Sequence, residues 1–293
     1  MALFDTEIEG TVTGIVANGS GVKMTVNGID VRFAGSAMNK LITPAGELTI
    51  GQLLDASPLP GRAAQGFEGG TAIVKGKFDS TTKQLAASEI AIEPSENVIV
   101  GGITKLFDSG TQEIEVNGVP TALIQDARLK AAPVRNEFGF EVKPETITID
   151  MPASVEGYYS QGKFYAFVLE VDGPAALVST GPQVSVLRAQ GRSRNGGYQL
   201  KARGAITTSH ATVGQSQVIE IYRVDVIGGT TVETRIGQVD ENVVAGGFTK
   251  WEFDERITSG SGVLANPPTL IRAYNTSVAT RVVSADFEVE IRD

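Results

Sequence analysis

The single histidine of the chain, His210, follows Ser209, and a serine with a histidine could form part of a hydrolase triad. In such a triad the imidazole accepts the proton of the serine hydroxyl as general base. Any triad in this chain would have to use His210, which lies in a polar segment. No Gly-x-Ser-x-Gly motif accompanies it, although that turn exposes the serine in α/β-hydrolases. The pattern therefore predicts a loop histidine rather than a catalytic base.

A glycine-containing run, Gly260-Ser261-Gly262-Val263-Leu264-Ala265, fits the fingerprint of dinucleotide-binding loops letter by letter. The fingerprint works only between a strand and a helix, because the amino terminus of the helix holds the pyrophosphate. The next residues, Asn266-Pro267-Pro268, prevent a helix at that point. We therefore interpret the run as a loop between strands, and no cofactor is expected.

Two acidic clusters could supply a pair of glycosidase carboxylates or the oxygen ligands of a calcium ion. They are Asp240 with Glu241, and Glu252 with Asp254 and Glu255. The chain has no Asp-x-Asp-x-Asp-Gly calcium loop, and its one histidine makes a zinc site unexpected. Exposed sheet faces and turns explain these carboxylates more simply. The sequence thus predicts no catalytic, cofactor-binding or metal-binding residue.

Aromatic side chains are densest in one predicted hairpin, which contains Tyr158, Tyr159, Phe164, Tyr165 and Phe167. Small β-barrels can stack bases or sugars on exposed rings of this kind. Strand alternation places Tyr158 and Tyr159 on opposite faces, so some of the rings must fill the barrel. An exposed remainder would form a binding platform, and the acidic surroundings would favour a glycan or a protein over DNA.

The composition predicts folded, soluble domains, because 41% of the 293 residues are hydrophobic and 20% are charged. No window approaches the ~18 consecutive apolar residues of a membrane span, and residues 1–10 lack the pattern of a signal peptide. Cysteine is absent, which excludes disulfides, thiolate metal sites and cysteine nucleophiles. Either the chain starts naturally at Met1 or a leader has been removed, and both origins stay open.

The net charge of −9 is unevenly distributed along the chain. Residues 1–180 contain 13 Lys and Arg against 22 Asp and Glu, whereas residues 181–293 contain 12 of each. Affinity for nucleic acids comes mainly from Lys and Arg against phosphates. Nucleic acid is therefore not an expected partner of this chain.

An internal repeat organises the first part of the chain. In the first repeat Val26-Asn27-Gly28-Ile29 matches Val116-Asn117-Gly118-Val119 of the second repeat, at an offset of 90 residues. The dipeptide Asn-Gly predicts a tight hairpin turn in both. Farther along, residues 74–78 match residues 155–159 at an offset of 81 residues. The two repeats therefore differ in length between these matches.

The shorter offset has a simple interpretation, in which the first repeat carries an exposed insertion at residues 56–70, a loop rich in proline and glycine. The same offset of 81 places Glu89 on Glu170.

Short amphipathic segments at residues 49–56 and 121–132 predict one or two helical turns in each repeat.

Each repeat reads as three strands, a short helix and a closing hairpin, which is the order of an OB-like barrel. Four segments also carry a resemblance to known domains: Glu9-Gly10-Thr11-Val12, Val26-Asn27-Gly28-Ile29-Asp30-Val31, Ile73-Val74-Lys75-Gly76 and Ala87-Ser88-Glu89-Ile90. Through them, residues 1–173 resemble a family of small bacterial OB-like domains of unknown function, often found in tandem in exported proteins. The second repeat departs from the pattern by its shorter middle and by Pro120. The resemblance implies an exported location and a non-catalytic role.

After Gly173-Pro174 the sequence predicts seven short strands separated by glycine-rich turns. Their ranges are 184–189, 198–206, 217–226, 231–238, 248–256, 269–274 and 282–291. This number of strands in about 110 residues indicates an immunoglobulin-like or fibronectin-type sandwich. In the fifth strand alternation places Trp251 and Phe253 on one face and Lys250 on the other, and one face is expected to anchor the core.

The expected architecture is therefore all-β, with one OB-like barrel at residues 1–95, a second at 96–175 and a seven-stranded immunoglobulin-like sandwich at 176–293. We expect a structural or interaction protein and not an enzyme. Its expected partners are copies of itself, in a filament or layer, or other surface proteins, joined by strand addition at exposed sheet edges. Residues 1–9 and 285–293 are the expected donor strands. The expected location is the cell surface or the extracellular space, with a virion as the alternative.

Other functions stay open at this point. A carbohydrate-binding or adhesion module would need an exposed row of aromatic rings, and a hydrolase would need a deep cleft lined by two acids. A phage or virion component would explain Met1 without a leader. Two glycosylation triplets, Asn18-Gly19-Ser20 and Asn275-Thr276-Ser277, are interpreted as chance matches.

Overall fold

The computed structural model describes residues 3–34, 40–227, 230–258 and 266–292. Nearly all of the regular structure is β-sheet, which confirms the all-β expectation. The glycine-containing run at residues 260–265 lies outside the described residues. Among the described residues, no helix is both long and apolar enough to cross a membrane.

The chain forms two compact units. The first unit contains Met1–Val134 and Lys143–Ala176. The second contains Arg135–Val142 and Leu177–Asp293. A short segment of the second repeat therefore belongs to the same unit as the carboxyl-terminal strands.

The first barrel uses most of the elements of the first repeat. Their bounds are β1 Leu3–Asn18, β2 Gly21–Val26, β3 Ile29–Ala34, β4 Lys40–Thr43, β5 Gly46–Glu47, α1 Ile50–Leu53, β6 Thr71–Asp79 and β7 Gln84–Glu93. Strand β1 pairs with β2 and β6, β2 pairs with β3, and β6 pairs with β7, all antiparallel. Parallel pairing of β3 with β7 closes the ring of five strands. This is the strand order of an OB-like barrel, as predicted.

The second barrel repeats this topology. Its strands are β8 Asn97–Asp108, β9 Glu113–Val116, β10 Val119–Leu123, β12 Pro152–Ser160 and β13 Lys163–Val171; β11, Arg135–Asn136, belongs to the second unit, and Pro144–Thr146 forms a 3-10 turn. Strand β8 pairs with β9 and β12, and β12 pairs with β13. Parallel pairing of β10 with β13 closes this barrel as well.

Both Asn-Gly turns have the predicted conformation. The φ angles are 49° at Asn27 and 79° at Gly28, and 52° at Asn117 and 78° at Gly118. A two-residue turn with positive φ at both positions is of type I′, whose twist matches that of the flanking strands. The turns therefore fix the register of β2 with β3 and of β9 with β10.

Pro120 is compatible with barrel closure because of its place in this hairpin. The pair Val116–Val119 flanks the two-residue turn and exchanges hydrogen bonds, so the next pair, Glu115–Pro120, does not. The pairing of β10 with β13 begins one residue later, at Thr121. The missing N–H of Pro120 thus removes no ladder hydrogen bond to β9.

The helix prediction is confirmed in the first repeat and wrong in the second. In α1 the Thr49 side chain accepts a hydrogen bond from the Gln52 N–H while the Gln52 side chain accepts from the Thr49 N–H, which is a capping box. In the second repeat, Thr121–Leu123 lie in β10 between β9 and β13, where the ladders satisfy their backbone groups. Residues 124–132 then form turns and irregular structure.

The predicted match of Glu89 with Glu170 is wrong, because the closing hairpin is shorter in the second repeat. Four residues separate Asp79 from Gln84, whereas two separate Ser160 from Lys163. Both hairpins carry a bulge at the equivalent glycine, next to the pairs Lys75–Glu89 and Glu156–Val168. The structural counterpart of Glu89 is therefore Val168.

The loop at residues 56–70 is not an exposed insertion, which corrects the prediction. Leu59 and Phe67 in this loop are almost completely buried and belong to the core of the first barrel. That core also contains Tyr158 and Phe167 of the second barrel. The Tyr158 hydroxyl donates a hydrogen bond of 2.7 Å to the Pro60 carbonyl. The loop therefore joins the two barrels through apolar contacts.

A buried arginine strengthens this joint. Arg128 of the second repeat is 5% exposed, and its guanidinium donates two hydrogen bonds, of 2.9 and 2.6 Å, to the Asp126 carboxylate. It also donates to the carbonyls of Asp55 and Ser57 in the first repeat, at 3.1 and 2.8 Å. The hydrogen bond from Arg128 holds the pKa of Asp126 below its usual value, although burial opposes this shift.

The second unit contains two sheets. The remaining strands are β14 Val184–Arg194, β15 Gly197–Thr207, β16 Ser216–Ile227, β17 Thr230–Asn242, β18 Phe248–Thr258, β19 Leu270–Asn275, β20 Val282–Val283, β21 Phe287–Glu288 and β22 Glu290–Arg292. One sheet has the order β18-β15-β14-β22, and the other has the order β17-β16-β19-β20 with β21 beside β19. This order corresponds to an immunoglobulin-like sandwich of the fibronectin type. The seventh predicted strand is divided into β20, β21 and β22.

The two sheets of the second unit share one hydrophobic core. Trp251 and Phe253 of β18 are buried, together with Tyr198 of β15 and Ile271 of β19. Lys250, on the opposite face of β18, is exposed. The alternation predicted for this strand is therefore confirmed, and the face of Trp251 anchors the core.

The segment Arg135–Val142 packs within the second unit. The Phe138 ring stacks on Phe248 with ring centroids 4.5 Å apart, and the Ser185 hydroxyl donates to the Phe138 carbonyl at 2.6 Å. Val142 pairs with Leu177 in an isolated bridge. The repeat pattern assigns this segment to the second repeat alone and does not predict these contacts.

Candidate functional site: the open strand edges of the barrels

The first strand of each barrel is longer than its partner on one side, so part of one edge is open. Strand β1 pairs with β6 from Leu3 to Thr11, but its pairing with β2 starts only at Val12. Strand β8 pairs with β12 from Asn97 to Gly102, but its pairing with β9 starts only at Ile103. Within the described part of the chain, no strand pairs with the other side of residues 3–11 or 97–102.

An asparagine side chain ends the ladder at the start of each open edge. Asn27 Nδ2 donates to the Glu9 carbonyl at 2.8 Å, and the Thr11 N–H donates to Asn27 Oδ1 at 3.0 Å. The carboxamide thus offers one donor and one acceptor, as a neighbouring strand would. We call this arrangement the asparagine lock.

The same lock occurs in the second barrel. Asn117 Nδ2 donates to the Val100 carbonyl at 3.1 Å, and the Gly102 N–H donates to Asn117 Oδ1 at 3.0 Å. These bonds also establish which backbone groups face the open side of β8. The N–H and C=O groups of alternate residues point to the same side of a strand. The Val100 carbonyl, which Asn117 binds, faces the open side, so the N–H of Val100 faces that side as well. Val98, two residues away, therefore directs both its N–H and its C=O to the open side.

The side chains beside the two open edges differ in character. Because Gly10 and Gly101 are equivalent, Glu7 and Glu9 of the first barrel correspond to Val98 and Val100 of the second. The two glutamates are exposed, as β-sheet edges protected by charge commonly are. Val98 and Val100 are 56% and 72% exposed. The second barrel thus has an apolar open edge where the first has an acidic one.

Basic residues balance the charge beside the acidic edge. Lys77 forms an ion pair of 2.5 Å with Asp5, and Lys75 forms one of 3.6 Å with Glu7. A cavity of about 480 Å³, lined in part by these four residues, lies on the same sheet. All four side chains are largely exposed, so these pairs contribute little to stability. The acids and the lysines that line the cavity are therefore paired with one another.

The aromatic hairpin forms no exposed platform. Tyr158, Phe164 and Phe167 are buried, and Tyr165 is half-buried and stacks on Tyr158 with centroids 5.4 Å apart. Only Tyr159 of the five predicted aromatic residues is exposed, at 58%. The group fills the barrel and the joint between the barrels. The alternation of Tyr158 and Tyr159 is confirmed.

The candidate hydrolytic and metal-binding residues lie on different elements of the second unit: His210 in a turn, the pair Asp240 and Glu241 on β17, and the cluster of Glu252, Asp254 and Glu255 on β18. His210 is exposed in the turn after β15. In the described part of the chain no group of three or more histidines and acids is placed to hold a metal ion. In the cluster on β18, Asp254 forms an ion pair with Lys201 and accepts a hydrogen bond from Gln199. Its pKa is held below the usual value by these two side chains.

The two proposed donor strands are not free segments. Residues 3–9 are paired with β6 along their whole length. Near the carboxyl terminus, β21 pairs with β19, and β22 pairs with β14. Donating either segment to a partner would break these ladders, so the donor prediction is wrong for the described residues.

The two glycosylation triplets differ in accessibility. Asn18 lies exposed at the end of β1, before the turn at Gly19. Asn275 is completely buried, and its Nδ2 donates to Gln217 Oε1 at 3.1 Å. A glycan cannot be attached to Asn275 in the folded chain.

Sequence reasoning did not identify the open edge of β8. The signal was present in the repeat itself, because extending the alignment at Gly10 and Gly101 sets Glu7 and Glu9 against Val98 and Val100.

Comparison of the chain with known protein families, with curated proteins and with solved structures found no match.

Proposed function

We propose that this protein is a non-enzymatic structural or interaction protein that assembles with copies of itself, as a subunit of a filament or layer, and that an open strand edge is one of its contacts. The observation that carries the proposal is the β8 edge, where unpaired backbone groups lie beside the exposed Val98 and Val100. Exposed, apolar sheet edges are the usual sites of strand addition. An edge of this kind without a partner is a liability, so we expect one to cover it.

The support of the edge also suits an assembly role. Strand β8 belongs to a closed barrel, and the loop at residues 56–70 and the buried Arg128 join that barrel to the first. An edge on a rigid scaffold loses little conformational entropy when it binds. The two barrels therefore provide a preformed surface rather than a segment that folds on binding.

We further propose that the protein functions outside the cell, at the cell surface or in the extracellular space. The resemblance of residues 1–173 to domains of exported bacterial proteins supports this location. A virion or phage particle is the alternative location. The genes adjacent to the coding gene separate the two, since structural genes of a phage would cluster around it.

The experiment that tests the proposal is a measurement of mass and shape over a range of concentrations, by light scattering and negative-stain microscopy. We expect a mass above that of one 30.8 kDa chain, rising with concentration, or ordered polymers. A monomer at every concentration would contradict self-assembly. Screening against a glycan array would then test the carbohydrate-binding alternative, which has only Tyr159 as an exposed ring in the aromatic hairpin.

A further inference from the structure

We infer that the open edge of β8 pairs with the same edge of a second molecule of this chain, antiparallel and centred on Val98. The inference rests on the proposed function and specifies its partner and contact. It follows from three features of the edge: the backbone groups that are available, the side chains beside them, and the contrast with the first barrel.

The available backbone groups select the register. A residue on the two-fold axis of an antiparallel pair exchanges two hydrogen bonds with its own copy. Val98 has both its N–H and its C=O on the open side, so pairing centred on Val98 uses both. Pairing centred on Val100 would need the Val100 carbonyl, which already accepts a hydrogen bond from Asn117 at 3.1 Å. In the register centred on Val98, the Val100 N–H faces the carbonyl of Glu96 of the second molecule, which also accepts a hydrogen bond of 3.0 Å from its own Asn97 Nδ2, so the two bonds between the Val98 residues define the register.

The side chains suit a symmetric contact. The register centred on Val98 places the two Val98 side chains directly opposite each other and sets each Val100 opposite Glu96 of the second molecule. Residues 97–100, Asn-Val-Ile-Val, contain no charge, and the two Glu96 residues lie at opposite ends of the pairing, so the centre of the contact has no like charges opposite each other. Opposed β-branched residues stabilise neighbouring strands. A second molecule of this chain therefore offers the apolar side chain and the backbone hydrogen bonds that the centre of the edge requires.

The first barrel shows why only one of the two edges would pair. The equivalent register there would place Glu7 opposite Glu7 of the second molecule, and like charges directly opposite destabilise a strand pair. Asp5 and Glu9 flank this position on the same exposed face. One self-complementary edge in each molecule gives a closed, two-fold dimer. A filament or layer would grow from this dimer only through a second surface.

The decisive experiment introduces charge at the proposed two-fold axis in the full-length chain. Val98→Lys and Val98→Glu each place like charges opposite each other, so we expect each variant to weaken dimerisation at least about tenfold. An equimolar mixture of the two variants pairs lysine with glutamate, and we expect it to restore dimers. Sedimentation velocity over a concentration series measures these equilibria. Leu106→Lys is the matched control, because Leu106 is an exposed residue of β8 beyond the open edge.

Each outcome decides the inference. Weakened self-association of both variants, with recovery in the mixture, would support it, and the recovery also excludes misfolding as the cause. A wild-type assembly that Val98→Lys and Val98→Glu leave unchanged would overturn this edge as the contact while the proposed function stands. Equal weakening by Leu106→Lys would likewise overturn the specific register. A wild-type chain that stays monomeric would overturn both the inference and self-assembly.

Discussion

Gly10 leaves the space that the side chain of Asn27 occupies. A β-carbon at position 10 would lie 1.9 Å from Asn27 Nδ2, and one at Gly101 would lie 2.0 Å from Asn117 Oδ1. Real non-bonded contacts of a β-carbon are not this short, so each lock requires a glycine on the first strand and a short amide at the turn. The two repeats keep this pair although their lengths and edge charges differ.

The coupling between glycine and asparagine is measurable in the second barrel. We expect Gly101→Ala to destabilise the barrel by about 1–3 kcal/mol, because the added methyl group displaces the Asn117 side chain. Asn117→Gly keeps the left-handed turn but loses two hydrogen bonds, at a cost of about 1–2 kcal/mol. The double variant should lose less than the sum of the two, because no amide remains to be displaced. Urea unfolding measures all three, and strict additivity would contradict the lock.

Replacement of Arg128 tests the joint between the barrels. We expect Arg128→Met to destabilise the first unit by about 3 kcal/mol, because it leaves the Asp126 carboxylate and two backbone carbonyls without their donor. Lys130→Met is the matched control, since it removes the same charge two residues away at an exposed position. Hydrogen exchange of peptides covering residues 55–70 should accelerate only in the first variant. Equal acceleration in both would show that net charge, not the buried joint, is responsible.

The joint should also weaken in acid. The hydrogen bond from Arg128 lowers the pKa of Asp126 in the folded state below its value in the unfolded chain. The stabilisation that the Asp126 carboxylate provides is therefore fully present above its pKa in the unfolded chain, about 4. It is lost as the pH falls through its pKa in the folded state. We expect Asp126→Asn to be less stable than the wild type at pH 7 and to lose less stability between pH 5 and pH 2. Denaturant unfolding at several pH values in this range gives the free energy of unfolding as a function of pH. The same dependence in Asp126→Asn and in the wild type would contradict this role of Asp126.

Replacement of Glu7 and Glu9 should allow the open edge of the first barrel to bind other molecules of the chain. We expect the double variant Glu7→Val and Glu9→Val to form species larger than dimers, because each molecule then has two apolar edges. Light scattering against concentration detects them. The control, Glu141→Val with Glu145→Val, makes the same change in charge at exposed residues that belong to neither β1 nor β8. An identical size distribution for the two double variants would contradict a special role for the edge.

The segment Arg135–Val142 should stabilise the second unit. Trp251 is the single tryptophan and lies in the core of that unit, so its fluorescence reports on the unit selectively. We expect Phe138→Ala to lower the free energy of unfolding of the second unit, measured by Trp251 fluorescence, by about 1–2 kcal/mol, because the stack on Phe248 is lost. Phe4→Ala, which truncates an exposed ring in the first unit, should leave this signal unchanged. No change with Phe138→Ala would place the segment outside the cooperative unit.

The sequence predicted features that depend on local chemistry. The Asn-Gly turns, the alternation around Trp251 and the single helical turn at Thr49 follow from conformational preferences within a few residues. Closure of the first barrel was also predictable, because the order of the strands limits the possible pairings. The turns, the alternation and the helical turn need no knowledge of distant contacts.

Features that depend on distant contacts were missed or misread. Residues 56–70 have the proline and glycine content of an exposed loop, yet Leu59 and Phe67 become buried against other elements. The amphipathic pattern of residues 121–132 resembles a helix, but pairing with β9 and β13 overrides that preference. The open edge of β8 depends on where pairing with β9 begins, which strand patterns do not specify.

The asparagine lock has a further consequence for the order of folding. It joins groups only 16 and 18 residues apart in the first barrel, whereas the closing parallel pair joins Asp30 with Gln84. Short loops close at a lower entropic cost and faster than long ones. We therefore expect the hairpin of β1 and β2 to form early, with its register already fixed by Asn27. The lock then keeps these strands from slipping during the slower search for β6 and β7.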